Sequence, residues 1–151
     1  EKYAIIGMPL PDADGNPVFR PRKLEIVAHE FCHSFANPVV EKYMEQLEPA
    51  GEKLYAAKAP SMKRIGYQNW RSLMYESAVR ASVACYIRNS FEPEYLQSYL
   101  DKEAGNGFVW TKELSDLLGT YEANRDNYPT FESFFPEIVT FFNEYTRKAA
   151  L

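Results

Sequence analysis

The chain has 151 residues, 46% of them hydrophobic, which is enough to close one core without disulfide or metal staples. A net charge of −4, a sequence pI near 5.3 and scattered rather than clustered basic residues exclude the electrostatic footprint of a nucleic-acid binder. No apolar run reaches the roughly 20 residues needed to cross a bilayer, so no membrane span is expected.

The first apolar run, residues 3–10 (YAIIGMPL), reads as one short edge strand, because the prolines at its end cannot donate to a sheet ladder. It opens close to Glu1, with neither an initiator Met nor a signal-peptide pattern, so an upstream portion is expected to have been removed. Residues 12–17 (DADGNP) have the look of a calcium loop. However, Gly15 stands at the fourth position rather than the sixth, and Lys23 occupies the twelfth, where a bidentate Glu is required. A hairpin turn is the better reading.

After Pro21 the pattern becomes helical through residue 37. Leu24, Val27, Ala28, Phe31 and Phe35 recur at helical spacing and are expected to anchor this helix in the core. Asn37-Pro38 reads as the start of a second helix, since Asn caps well and Pro suits the first helical position. Its stripe is Val40, Tyr43, Met44 and Leu47, and it is expected to end within residues 48–51 (EPAG). Residues 52–67 read as one short helix and a surface loop. Residues 69–88 form a helix apolar nearly all round, hence buried, with Glu76 and Arg80 its charged interruptions between Leu73 and Ile87. Three further helices follow, over residues 94–102, over residues 111–122, and a last one carrying Phe134, Ile138, Phe141, Phe142 and Tyr145. Cys32 and Cys85 fall inside predicted helices, so no disulfide framework is expected. The whole reads as a single domain over residues 1–151, mainly α with a minor β part (α+β).

The chemistry concentrates in the first helix. The chain has only two histidines, and both lie in His29-Glu30-Phe31-Cys32-His33, an HExxH motif. Side chains four apart share a helix face, so His29 and His33 can offer two imidazole nitrogens to one metal ion. Glu30 sits about 100° round the helix, within reach of a water at that metal but poorly placed to be a third ligand. Ile26, His29, Glu30, His33 and Asn37 would then face a cleft, with the apolar back packed. Cys32 as a ligand would duplicate His33. Glu76, a carboxylate in an apolar helix, must be paired or bound to a cation, because desolvating it alone costs several kcal/mol. It is either an ion-pair partner of Arg80 four residues on, or a third metal ligand with Arg80 orienting it.

These residues resemble the zincin metallopeptidases, and among them the gluzincin branch, in which two histidines and a downstream Glu hold Zn²⁺. Glu76 follows His33 by 43 residues, a separation acceptable for that branch. The metzincin pattern would need Gly at 36 and His at 39, where this chain has Ala36 and Val39. HEFCHSFANPVVEKY followed by YESAVRA is similar to an uncharacterised, usually exported bacterial family with zincin-like motifs.

The resemblance implies a zincin-like helical core, with the HExxH helix packed on the Glu-bearing helix and one short N-terminal edge strand or hairpin. Part of the usual upstream sheet would be missing. It implies Zn²⁺ held by His29, His33 and Glu76, Glu30 as general base, and Arg80 and Asn37 behind the ligands. Tyr128, Tyr121 or Arg125 would steady the oxyanion. It further implies a peptide or protein substrate and an extracytoplasmic location, whether periplasmic, cell-surface or secreted. The competing functions are a noncatalytic binding module for protein or glycan on the same scaffold, and a purely helical interaction domain without metal.

Overall fold

The computed structural model describes residues 11–16, 18 and 24–151. Six helices account for most of them: α1 (Leu24–Lys42), α2 (Met44–Arg64), α3 (Trp70–Ser90), α4 (Pro93–Asn106), α5 (Thr111–Ala123) and α6 (Phe131–Lys148). The chain is therefore mainly α, and there is no strand among the described residues. The strand expected over residues 3–10 lies outside them. The turn at residues 12–16 is present. The Asp12 side chain accepts hydrogen bonds from the backbone N–H of Asp14 (3.0 Å) and Asn16 (2.8 Å), and Gly15 takes a φ of +83°.

α3 is the central element, in contact with α1, α2, α4 and α5, while α6 closes the other side against α1, α2 and α5. Its sequence explains that position. Ala78, Ala81 and Ala84 are buried and small enough to let neighbours approach, and Leu73, Met74, Val79, Val83 and Ile87 fill the spaces between them. Asn69 starts the helix, its side-chain oxygen accepting from the Ser72 N–H at 2.9 Å. Trp110, Phe108, Phe134, Phe135 and Phe142 build the core below, and Trp110 Nε1 donates to Ser77 Oγ at 2.9 Å.

Three sequence expectations are corrected. First, no break occurs at Asn37-Pro38: α1 runs through Pro38 to Lys42 and turns only at Tyr43. Continuing the helix buries Ala36 and Val40, and that packing outweighs the cost of a proline in a helix interior, about 3 kcal/mol. Second, α2 does not end at Glu48-Pro49-Ala50-Gly51 but passes through Pro49 and Pro60 to Arg64. Gly51 is there for a crossing: a Cβ on it would lie 2.7 Å from Trp70 Cε3.

Third, the faces of α1 are reversed. Leu24, Phe31 and Phe35 are exposed, Phe35 by 64%, and the side bearing the histidines is the one packed on α3. A helix with apolar residues on two sides does not tell from its own sequence which side has a partner; the almost wholly apolar α3 decides it. No described helix is long and apolar enough to cross a membrane.

Candidate metal centre

α1 and α3 cross where His29, His33 and Glu76 face each other. His29 and His33 stand one turn apart, so their rings meet edge to face with centroids 4.9 Å apart and Nε2 atoms 3.2 Å apart. Glu76 closes a triangle from the opposite helix: Oε2 is 3.5 Å from His29 Nε2 and Oε1 is 3.3 Å from His33 Nε2. Ligand atoms about 2.0–2.1 Å from a tetrahedral ion are separated by about 3.3 Å, so this triangle has the dimensions of three corners of such a site. These three residues could hold a metal ion.

The surroundings fit that donor set. His33 Nδ1 lies 3.2 Å from Asn37 Oδ1. An amide oxygen only accepts, so this contact puts a proton on Nδ1 and leaves Nε2 as the nitrogen that would meet a metal once its own proton is lost. Asn37 is thus behind the ligand, inside α1, rather than the cap of a new helix. Glu76 is 10% exposed at its side chain, and its Oε2 has no hydrogen-bond partner, although Arg80 Nη2 is only 2.9 Å away as an ion pair. A buried carboxylate oxygen held by an ion pair but by no hydrogen bond keeps lone-pair capacity for a further cation.

Electrostatics divide the two imidazoles. Burial pushes His29 below its ordinary value, and Arg80 and His33 act in the same direction. The hydrogen bond to Glu76 pushes His33 up against the opposing effect of burial, so His33 carries the proton the pair can hold. Burial alone would raise Glu76. The hydrogen bond from His33 and the charge of Arg80 outweigh it, and the carboxyl titrates below its ordinary value.

Glu30, the next residue on α1, is exposed and lines a polar cleft of about 300 Å³ with Glu25, His29, Arg80 and Lys102. An apolar groove lined by Phe31, Cys32, Phe35, Tyr86 and Phe131 lies on the other side of α1. A molecule entering the polar cleft therefore meets His29 and Glu30 together.

A sequence profile described as Domain of unknown function (DUF4932) matches residues 1–141. The chain belongs to the DUF4932 family. No curated protein and no solved structure matches it.

In this DUF4932 chain the tyrosines expected near the site are elsewhere. Tyr128 donates to Glu137 Oε1 at 3.1 Å and stacks on Phe134, and Tyr121 packs against Phe131 and Phe134. Arg125 is close by, over the Tyr121 ring and bonded to the Pro129 carbonyl. All three belong to the α5–α6 corner. The tyrosine beside the cluster is Tyr67, which accepts from Arg80 Nη2 at 2.9 Å and interacts with Glu76. Nothing in the sequence separates it from the other ten tyrosines.

Glu103 was also missed. Its side chain is 2% exposed and ion-paired to Arg80 Nη1. A signal for it existed: Leu96, Tyr99 and Glu103 recur at helical spacing, which puts a carboxylate on the inward stripe of α4.

Proposed function

We propose that this DUF4932 chain is a zinc-dependent metallopeptidase of gluzincin type, acting on peptide or protein. The observation that carries the reading is the triangle of two imidazole nitrogens and one carboxylate, 3.2–3.5 Å on a side, with a second carboxylate, Glu30, lining the same cleft as His29. His29, His33 and Glu76 would hold Zn²⁺, which when bound supplies a Lewis acid that brings the pKa of water down towards about 7.

The remaining chemistry belongs to the chain. Glu30, exposed to the cleft, takes the proton of the attacking water as general base and returns it to the leaving amine. Asn37 holds the His33 ring in one tautomer. Arg80, paired with Glu76 Oε2, and Tyr67 hold the Glu76 carboxylate in place. A site with only a structural purpose has no use for a carboxylate poised beside its histidines, which favours catalysis over a binding module. The likeness of the motif to exported zincin-like proteins makes an extracytoplasmic place of action part of the same proposal.

Metal analysis combined with a peptide-library cleavage assay on the wild type and Glu30→Gln tests it. The expected result is one zinc per chain in both proteins, with cleavage by the wild type alone and at least about 100-fold less by the variant. Zinc without cleavage by the wild type turns the reading to a noncatalytic binding module. No zinc in the wild type overturns the metal site itself.

A further inference from the structure

Glu76 is closer to Arg80 than to either histidine, and Arg80 ought to compete with a metal for it. A guanidinium and a carboxylate bind most strongly as a two-pronged fork, with two parallel N–H···O bonds. Here the fork is not formed, and Arg80 Nε has no hydrogen-bond partner. Arg80 Nη1 is committed to Glu103, a side chain only 2% exposed on α4, and Nη2 hydrogen-bonds the Tyr67 hydroxyl at 2.9 Å. Glu76 receives the ion-pair attraction of Nη2 at 2.9 Å, yet its Oε2 has no hydrogen bond. Charge points the same way. With neutral imidazoles, Glu76, Arg80 and Glu103 leave one buried negative charge, a deficit that suits a divalent cation. Lys102, 4.0 Å from Glu103 and 58% exposed, offsets it only through solvent. The Asn106 amide, 3.4 Å from Glu103, adds no charge.

We propose that Glu103 is a positioning residue for the metal centre: by holding Arg80 Nη1 it keeps the guanidinium to a one-point contact with Glu76 and so leaves that carboxylate able to bind a divalent cation. This rests on the zinc reading above. Without the Glu103 charge, Arg80 is free to bring its unpartnered Nε onto Glu76 and close the two-pronged pair.

Zn²⁺ affinity, measured by chelator competition on the intact chain at constant pH, tests the proposal, with circular dichroism and denaturation of the metal-free proteins reporting folding. Glu103→Gln is expected to weaken zinc binding by about 10–100-fold, the usual cost of losing a partner behind a ligand. The double variant Arg80→Met with Glu103→Gln is expected to recover most of that loss, because the competing guanidinium is gone, whereas general damage around α4 would not be repaired. Glu103→Asp, which keeps the charge but shortens its reach, is measured alongside and should weaken binding by at least about threefold. If Glu103→Gln does not fold, Glu103→Asp decides. Wild-type affinity in whichever of the two folds overturns the proposal, as does a double variant no tighter than Glu103→Gln. A wild type that binds no zinc at all overturns the metal reading instead, which keeps the two failures apart.

Discussion

At the scale of single residues, His33 and Glu76 make opposite demands on pH with and without metal. In the metal-free protein His33 is raised above its ordinary 6.5, so its contribution to stability is complete below that value and is lost as pH rises through the raised pKa. Glu76 is held below its ordinary 4.5, so its contribution is present above that value and is lost as pH falls through the lowered pKa. The chelated protein should therefore be most resistant to heat between about pH 4.5 and 6.5 as far as this pair decides it. Zinc has the reverse preference, because it must displace the His33 proton, and its affinity should climb as pH rises through the raised His33 pKa. Melting curves at several pH values, with chelator and with zinc, check both slopes. A zinc-induced rise in Tm that grew towards acid would contradict the assignment of His33 as a ligand.

At the scale of elements, the centre depends on two helices meeting at one height. α1 contributes the two rings from successive turns, and α3 contributes Glu76 from its second turn, counted from the Asn69 cap. The cap sets where α3 begins and is exposed, so it can be removed without touching the core. Asn69→Ala is expected to lower the unfolding free energy by about 1 kcal/mol, and Asn69→Asp to restore most of it. Urea titration reads the difference. A loss well above 2 kcal/mol would mean that Asn69 does more than satisfy the Ser72 N–H. The prolines of α1 and α2 make the complementary point. Pro38, Pro49 and Pro60 all sit inside helices, and each local signal to stop is overridden by burial on either side of it.

At the scale of the whole molecule, one aromatic layer supports the crossing from below. Trp110 is fully buried, stacks edge-on with Phe108, Phe142 and Tyr145, and reaches into α3 through its bond to Ser77. Ser77 is the neighbour of Glu76, so core and metal centre share a stretch of backbone. Trp110→Ala should cost about 3–5 kcal/mol in a denaturant titration, and Trp110→Phe less, since it removes the indole N–H and part of the volume but keeps a ring. A Trp110→Ala protein as stable as the wild type would mean that this layer is not the support of α3.

What the sequence determined by itself was whatever depends on short-range periodicity. His29 and His33 fall on one helix face because four residues are about one turn, and the apolar run around Glu76 announces a buried helix with a carboxylate that needs a partner. The start of α3 near residue 69 was legible from the same periodicity, whereas the Asn69 and Thr130 caps of α3 and α6 came only from the structure. Tertiary structure alone decided the rest. It decided which side of α1 faces inward, because that depends on what another helix offers. It also decided that Tyr67 rather than Tyr121 or Tyr128 stands by the cluster, and that Glu103 engages Arg80, because these meetings join residues far apart in the chain. Periodicity constrains neighbours along a helix; only packing brings separate helices to the same point.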